Sequence, residues 1–225
     1  MIEWFVLNGG LLAAAYLLGS IPTGYAIGRW FYGIDIRQQG SGSTGATNVL
    51  RTCGKGPALA VLLVDILKGS AAIALIFATY SLPGTRQIAL EVGVQNPDAL
   101  AYWVATLSGL AAVVGHTTSL WIGFKGGKSV ATSLGILFAF NWVLALATLT
   151  VFAVVLAGSR IVSLGSIAGA VAISALMIVT GQPLPYQLFA VAAGAYVIWR
   201  HRTNIERLVQ GKEPRIGQKL SVETQ

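Results

Sequence analysis

The chain has 225 residues, of which 55% are hydrophobic and only 10% are charged, and its formal net charge is +7. Soluble domains carry about 25% charged residues, so the composition excludes a soluble globular protein and indicates an integral membrane protein. The positive charge does not indicate a nucleic-acid partner, because the cations lie in short loops and a tail beside apolar runs, where they orient a membrane protein. The length fits one all-α helical bundle, residues 1–225, of which residues 200–225 form a tail.

The chain is poor in residues that bind metals or form disulfides. Cys53 is the single cysteine, and no set of His, Cys, Asp and Glu has the spacing of metal ligands. We therefore expect no metal and no cofactor. The acidic Glu3 and the lack of a basic stretch before the first apolar run also predict that no signal peptide is cleaved.

Apolar runs long enough to cross a bilayer, about 20 residues, recur along the chain. In chain order they cover residues 4–28, 57–80, 100–122, 130–157, 166–180 and 184–200. The loop after the first run and the tail after the last are both rich in cations, so the positive-inside rule places both in the cytoplasm. The loop is flanked by Arg29, Arg37, Arg51 and Lys55, and the tail carries Arg200, Arg202, Arg207, Lys212, Arg215 and Lys219.

The loop and the tail can lie on the same side of the membrane only if an even number of spans separates them. A break in the long run near Asn141 adds the span that this requires. The break gives a short helix Val130–Phe140, about 16 Å long at 1.5 Å per residue, and a second helix to about Ala157. We predict about seven transmembrane helices, with the N-terminus outside and the C-terminus cytoplasmic. A half-length helix also indicates an internal site, because backbone bends at membrane depth are tolerated only inside the protein or beside a water-filled cavity.

The first polar segment, residues 40–51, has the sequence GSGSTGATNVLR. Its G-x-G-x-x-G spacing is typical of dinucleotide-binding loops, but no strand precedes it and no acidic ribose partner follows, which excludes that fold. Glycines let backbone N–H groups face an anion, the hydroxyls of Ser41 and Ser43 add donors, and Arg51 can bind two phosphate oxygens. We predict an anion site; a turn of small residues is the alternative.

The second polar segment, residues 115–129, has the sequence GHTTSLWIGFKGGKS. Its end resembles that of a phosphate-binding P-loop, but the first glycine of that motif is out of place. A turn at Gly126 and Gly127, flanked by Lys125 and Lys128 at the start of a helix, suits an anion through the helix N–H groups and dipole. The alternative is a loop that only orients the chain.

Two further segments end on the same predicted face. Residues 159–166, SRIVSLGS, supply Ser163 and Ser166 at a helix start, where helix capping is the alternative. Residues 201–215, HRTNIERLVQGKEPR, place His201 and Asn204 on one helical face. His201 and Glu206 form an H-x4-E pair, a weak match to the H-x4-D dyad of coenzyme-A-dependent acyltransferases, and an amphipathic tail on lipid headgroups is the alternative.

Asp65 and Lys68 interrupt the second apolar run. Charges within a membrane are costly and indicate function by default. Mutual neutralisation is the alternative role for this pair.

Three stretches of the chain resemble the motifs of the bacterial acyl-phosphate-dependent glycerol-3-phosphate acyltransferases. They are GSIPTGYAIGR…GSGSTGATNVLR, GHTTSLWIGFKGGKSVAT and HRTNIERLVQGKEPR, and the resemblance extends from about Leu18 to Arg215. It implies a small helical protein of the bacterial inner membrane with its site on the cytoplasmic side. The implied reaction moves a fatty acyl group from acyl phosphate to the 1-hydroxyl of glycerol 3-phosphate, giving lysophosphatidic acid and phosphate. The implied partners are these substrates, membrane lipid and functional coupling to an enzyme that produces acyl phosphate.

The resemblance also implies residue roles. It assigns catalysis to Ser41, Arg51, His201 and Asn204, and a structural acid to Glu206 or Glu213. Together with the segments above, it gives a predicted substrate-binding set of Ser43, Asn48, Lys68, Lys125, Gly126, Gly127, Lys128, Ser163 and Ser166. The sequence departs from the family at Thr44, commonly Asn, at Ser119, commonly Pro, and at Ser129, commonly Gly.

The implied chemistry suits this inventory of residues. Acyl phosphate is already activated, so the reaction demands neither a covalent intermediate nor a metal, and no G-x-S-x-G elbow is present to supply a nucleophile. The general base is either His201 or the phosphate of the donor. A phosphate or organophosphate transporter is the alternative function, and it predicts anion-binding groups at both faces or at the membrane centre. A scaffold leaves the polar segments unexplained, and a CDP-alcohol phosphotransferase would need a cluster of acidic metal ligands.

Overall fold

The computed structural model describes residues 1–218, and every regular element in that range is helical. The all-helical fold predicted from the sequence is therefore confirmed, while Lys219 and the rest of the tail lie outside the described residues. The α-helices are α1 Ile2–Ser20, α2 Thr23–Tyr32, α3 Ala46–Thr52, α4 Lys55–Tyr80, α5 Pro83–Glu91, α6 Pro97–Thr117, α7 Val130–Phe140, α8 Trp142–Ser159, α9 Val162–Val179, α10 Leu184–Arg200 and α11 Arg202–Val209. Short 3₁₀ turns lie at Ile36–Gln38 and Leu120–Ile122.

Within residues 1–218, five of the helical stretches are long and apolar enough to cross a membrane. They are α1, α4, the stretch Pro97–Ile122 that begins with α6, α8 and α9. The predicted break in the long apolar run is present, since α7 ends at Phe140 and α8 begins at Trp142. Asn141 produces it: its side-chain oxygen accepts hydrogen bonds from the N–H groups of Val143 and Leu144, 3.1 Å each, and so caps α8.

The first apolar run differs from the prediction of one span over residues 4–28. Pro22 lacks an N–H donor and breaks the helix, so α1 ends at Ser20 and α2 begins at Thr23. Buried side chains satisfy the carbonyls at this break. The hydroxyl of Ser119 donates to the carbonyl of Ser20 at 2.6 Å, and the ammonium of Lys68 donates to that of Ile21 at 2.8 Å.

The span predicted at residues 166–180 also begins earlier. Helix α9 starts at Val162, so both Ser163 and Ser166 lie within its first turns. The stretch SRIVSLGS contains no residue that breaks a helix on the C-terminal side of Val162, and hydropathy alone placed the boundary too late.

Close backbone contacts join α4 to α7. A Cβ atom on Gly69 would collide with the carbonyl oxygen of Thr132, and one on Gly135 with that of Ile66. The hydroxyl of Ser70 also donates to the carbonyl of Gly135 at 2.7 Å. Small residues permit this approach between membrane helices, and the contact fixes α7 and the loop before it against α4.

A separate small core holds the loop between α2 and α3. Ile36, Val49, Ala58 and Val61 are buried together, and they join this loop and α3 to the first turns of α4. The polar segment at residues 40–51 is thereby held against the N-terminal end of α4.

Candidate functional site

Asn48 organises the first polar segment. Its amide nitrogen contacts the carbonyl oxygens of Ile36, Gln39 and Ser43 at 3.1, 2.9 and 2.9 Å. Its oxygen accepts from the backbone N–H of Ser41 at 2.9 Å, and the residue is 1% exposed. All of its polar atoms are engaged within the loop, so the fold leaves Asn48 no unpaired polar atom for the predicted substrate contact.

The glycines of this segment serve the turn around Asn48. Gly40 and Gly42 have φ values of 56° and 70°, a left-handed backbone that favours glycine. A Cβ on Gly40 would also collide with the side-chain oxygen of Asn48. The hydroxyl of Ser43 accepts from the N–H of Gly45 at 3.3 Å. The hydroxyl of Ser41 is exposed and makes no hydrogen bond within residues 1–218, whereas the hydroxyl of Ser43 accepts one hydrogen bond and keeps its own donor.

Arg51 lies on α3 and is half-buried. The pKa of its guanidinium is lowered, mainly because the group is buried. The negative charge of Glu213 opposes this shift, and the positive charge of Arg207 adds to it. These effects place Arg51 within electrostatic range of the fourth polar segment. Within the described part of the chain its guanidinium makes no hydrogen bond or ion pair, and its planar fork of donors is free.

Glu213 connects the third and fourth polar segments. Its carboxylate accepts hydrogen bonds from Ser163 at 2.7 Å, from the amide of Asn204 at 2.5 Å and from Arg207 at 2.7 Å. Burial raises the pKa of this carboxyl, but these three hydrogen bonds outweigh it and hold the pKa below its usual value. The carboxylate is 8% exposed and ionised, whereas Glu206 is exposed. Of the two predicted structural acids, Glu213 is the one that the fold buries and surrounds with hydrogen-bond donors.

Lys128 joins the second polar segment to the hydrogen-bonded cluster of Glu213, Ser163, Asn204 and Arg207. Its ammonium donates to the side-chain oxygen of Asn204, whose amide donates in turn to Glu213. Burial lowers the pKa of Lys128 to about 8; Glu213 opposes this shift, and the nearby arginines, Arg207, Arg200 and Arg51, add to it. Asn204 is held from both sides in one orientation, and Lys128 is a cation that a second anion nearby would stabilise.

The turn at Gly126 and Gly127 packs against the end of α6. A Cβ on Gly126 would collide with the carbonyl oxygen of His116, and one on Gly127 with the imidazole ring of the same residue. The N–H of Gly127 donates to the carbonyl of His116 at 3.2 Å, and Arg200 donates to the carbonyl of Gly127 at 3.0 Å. The N–H of Gly127 is therefore already bonded within the protein, which leaves the predicted substrate contact of Gly127 without this donor.

His201 ends α10 and is buried. Its Nδ1 lies 2.7 Å from the carbonyl oxygen of Val197 and donates to it, which leaves Nε2 with a free lone pair. Burial lowers the pKa of His201 to about 4, so the ring is neutral at pH 7 and a weak base. No hydrogen bond joins it to Glu206 within residues 1–218, so the two residues of the H-x4-E pair are not in contact through a hydrogen bond.

Three other predicted substrate-binding residues lie apart from this cluster. Ser166 is buried and donates to the carbonyl of Val162 in its own helix at 3.0 Å. Lys125 is exposed, and its side chain makes no hydrogen bond or ion pair in the described range. Lys68 is paired with Asp65 inside the bundle, with its side chain 4% exposed.

Two arginines that the sequence predicted only as cations of the tail also lie at the site. Arg207 is bonded to Glu213, and Arg200 is bonded to the carbonyl of Gly127, next to Lys128. Arg207 lies three residues after Asn204 in α11, the spacing that brings side chains to one helical face, whereas Arg200 is the last residue of α10. For Arg207 that spacing was the available signal. With Arg51 and Lys128 these cations outnumber the one buried carboxylate among them, Glu213, and the excess of positive charge suits phosphates.

Comparisons with known proteins agree with this geometry. The family model described as glycerol-3-phosphate acyltransferase matches residues 10–211. A glycerol-3-phosphate acyltransferase of Trichodesmium erythraeum is 62% identical over 223 residues, 99% of this chain and 98% of that protein. One of Synechococcus elongatus is 54% identical over 207 residues, 92% of this chain and 93% of that protein.

Solved structures extend the similarity to the fold. The crystal structure of PlsY (YgiH), an integral membrane glycerol 3-phosphate acyltransferase, in its glycerol 3-phosphate form, superposes with a TM-score of 0.79 at 38% identity over 93% of this chain and 96% of that one. The lysophosphatidic acid form of PlsY gives a TM-score of 0.75 at 37% identity, over 93% and 95% of the two chains.

Proposed function

The chain belongs to the glycerol-3-phosphate acyltransferase family, and from that premise we propose that acyl phosphate is its acyl donor. The enzyme moves the acyl group to the 1-hydroxyl of glycerol 3-phosphate and releases lysophosphatidic acid and phosphate. A transporter, the alternative weighed from the sequence, does not fit this membership. The observation that supports the proposal most is a group of cations that outnumbers the one buried carboxylate among them: Arg207 pairs with Glu213, Arg51 and Lys128 lie within its electrostatic range, and Arg200 binds the carbonyl next to Lys128.

The donor is inferred from the chemistry of the side chains. The hydroxyl oxygen of glycerol 3-phosphate attacks the acyl carbonyl carbon, a C–O bond forms, and the bond from that carbon to the phosphate oxygen breaks. Phosphate leaves with the electron pair, so no covalent enzyme intermediate is needed. The hydroxyl proton must pass to a base. His201, with a pKa of about 4, is a weak acceptor for it, which favours the phosphate of the donor as the base.

Two groups of residues divide the substrates between them. Ser41, with its free hydroxyl, and Arg51, with its free guanidinium, bind acyl phosphate, since a planar fork matches two phosphate oxygens. Lys128 and Gly126 bind the phosphate of glycerol 3-phosphate. Asn204 and Glu213 hold Lys128, and Ser163 and Arg207 hold Glu213. The assignment of Ser41 and Arg51 rests on donors that the fold leaves unused within residues 1–218, and that of Lys128 and Gly126 on their place in the second polar segment.

We further propose that α1, α4 and α6 to α10 cross the membrane, with the N-terminus outside and the site facing the cytoplasm at the inner membrane. The hydrogen bonds that join the second, third and fourth polar segments support one shared face. Lipid then surrounds the bundle, and acyl phosphate, which carries a fatty chain, reaches the site from the bilayer or directly from an enzyme that produces it.

Purified protein tests the proposal directly. Given acyl phosphate and glycerol 3-phosphate, it should release phosphate and form lysophosphatidic acid in equal amounts, and activity should persist in chelator. Acyl-coenzyme A should be a poor donor. Turnover of the thioester in preference to acyl phosphate, or loss of activity in chelator, would contradict the proposed donor and chemistry.

A further inference from the structure

We propose that the buried pair of Asp65 and Lys68 is a positioning device that holds both substrate loops of the site, and that neither residue touches substrate. The inference rests on the proposed function for its kinetic readouts. It replaces both sequence-based roles for Lys68, substrate binding and simple charge neutralisation, with a structural role in catalysis.

The pair lies at the break between α1 and α2. The ammonium of Lys68 is 2.8 Å from the carboxylate of Asp65, and the two side chains are 4% and 3% exposed. Lys68 also donates to the carbonyl of Ile21, the residue that caps the C-terminus of α1, with a distance of 2.8 Å. Asp65 accepts a hydrogen bond of 3.2 Å from the hydroxyl of Thr23, the first residue of α2. The cation therefore faces the negative end of one helix dipole and the carboxylate faces the positive end of the next.

One connection leads from this break to the first loop. Helix α2 packs against residue 44 so closely that a Cβ on Gly24 would collide with the carbonyl oxygen of Thr44. Thr44 is itself buried and lies between Ser41 and Arg51 in the chain. The direction in which α2 leaves the break therefore determines where the loop that binds acyl phosphate sits.

A second connection leads from the same carboxylate to the second loop. Nδ1 of His116 lies 3.8 Å from Asp65 and 3.2 Å from the hydroxyl of Thr132. The ring of His116 borders Gly127, whose N–H donates to the His116 carbonyl. Lys128 follows Gly127 directly, so the pair and His116 support the loop that binds glycerol 3-phosphate.

Stability alone gives no reason for this arrangement. Removing two charges from water carries a large free-energy cost, and apolar replacements of a buried pair are often neutral or stabilising. Neutralisation alone also leaves the orientation of the pair arbitrary, because either residue could carry either charge. The observed orientation matches both helix ends, which is what a device that fixes the angle of the break requires.

Two near-isosteric variants test the connections without leaving a buried charge unpaired. Thr23→Val removes the hydroxyl between α2 and Asp65, and we expect kcat to fall by about threefold or more while KM for glycerol 3-phosphate stays near wild type. Thr132→Val removes the hydroxyl partner of His116, and we expect that KM to rise by about threefold or more with a smaller change in kcat.

The matched control is Tyr80→Phe. It removes a 2.7 Å hydrogen bond from Tyr80 to Asn8, which also joins α4 to α1 but far along the chain from both loops. This variant should unfold at a lower temperature with kcat and both KM values unchanged. If the two threonine variants also keep wild-type kinetic constants, the positioning role is wrong.

Reversal of the pair separates positioning from neutralisation. In Asp65→Lys/Lys68→Asp both charges remain, but each faces the wrong helix end, so we expect folded protein with at least about tenfold lower kcat/KM. Wild-type kinetics in the reversed variant would overturn the proposal, and if that variant does not fold, the threonine variants decide the matter. Failure of the wild-type enzyme to use acyl phosphate would instead overturn the proposed function, since the threonine variants can be compared with any donor that it does use.

Discussion

The cations of the site differ in how firmly the protein holds them. Lys128 and Arg207 are each bonded to a polar side chain, Asn204 and Glu213 respectively. The guanidinium of Arg51 makes no such bond within residues 1–218. A side chain that the fold leaves free, half-buried beside a cluster of other cations, gains most from an anion.

Replacement of Arg51 by lysine tests this difference at the level of one residue. We expect Arg51→Lys to lower kcat/KM for acyl phosphate by at least about tenfold, because an ammonium cannot reproduce a planar bidentate fork. Arg86→Lys is the control, since Arg86 pairs with the exposed Asp98 away from the site, and it should keep wild-type activity. Near-wild-type turnover in folded Arg51→Lys protein would show that Arg51 serves packing or orientation.

The pKa of Lys128 predicts a pH dependence. Its ammonium must be protonated to bind phosphate, so activity should fall as the pH rises through about 8. The charge of Glu213 raises that pKa, so Glu213→Gln lowers it further and should move the alkaline fall in activity to lower pH. Glu206→Gln, at an exposed position of the same segment, should leave the profile unchanged. An alkaline fall that stays in place in Glu213→Gln would mean that Lys128 does not control it.

At the scale of elements, the residue that joins the second loop to α7 has a strained backbone conformation. Ser129 precedes the helix with a φ of 57°, in the left-handed region where side chains other than glycine are disfavoured. We expect Ser129→Gly to be neutral or to stabilise the protein by up to about 1 kcal/mol, because relief of strain offsets the entropy of glycine. Ala153→Gly, at an exposed position inside α8, should destabilise by about 1 kcal/mol. Thermal unfolding compares the two, and a larger loss at residue 129 than at residue 153 would contradict the expected strain.

The turn that follows α6 offers a second test at this scale. In Gly127→Ala the new methyl would collide with the ring of His116, and the displaced loop should raise KM for glycerol 3-phosphate by about tenfold, or 1.4 kcal/mol. The phosphate is remote from the bond being made, so kcat should change much less. Gly56→Ala, where the new methyl meets open space, should behave as wild type. A loss confined to kcat would show that this loop does not set the affinity for glycerol 3-phosphate.

For the whole molecule, charge patterning predicted more than hydropathy did. The parity of two cation-rich segments led to the break at Asn141, which the structure has. The break at Pro22 was missed, because the apolar run continues past it and the groups that satisfy its carbonyls, Lys68 and Ser119, are distant in the chain. Helix ends depend on such long-range partners, which no local pattern contains.

The sequence predicted where the site lies better than it predicted which residues contact substrate and which hold the loops in place. Polar segments at the ends of apolar runs indicated where the anions bind, and three of these segments are joined by hydrogen bonds. A sequence motif does not distinguish a donor that the fold uses from one that it leaves free. Asn48 and Ser41 share one motif, yet Asn48 is fully engaged and the hydroxyl of Ser41 is free.

Orientation in the membrane is the property of the whole molecule on which the cytoplasmic site depends. Cys53 is a partly exposed free thiol between Arg51 and Lys55, next to the proposed acyl phosphate site. Because the positive-inside rule places these cations in the cytoplasm, a membrane-impermeant thiol reagent should label Cys53 in inverted vesicles and not in intact cells. A variant with Cys53→Ser and Glu91→Cys moves the thiol to the exposed end of α5, across one proposed span, and should reverse the pattern. Labelling of Cys53 in intact cells, with the Glu91→Cys thiol protected there, would invert the proposed topology and place the phosphate site on the side of the membrane away from the cell's own acyl phosphate.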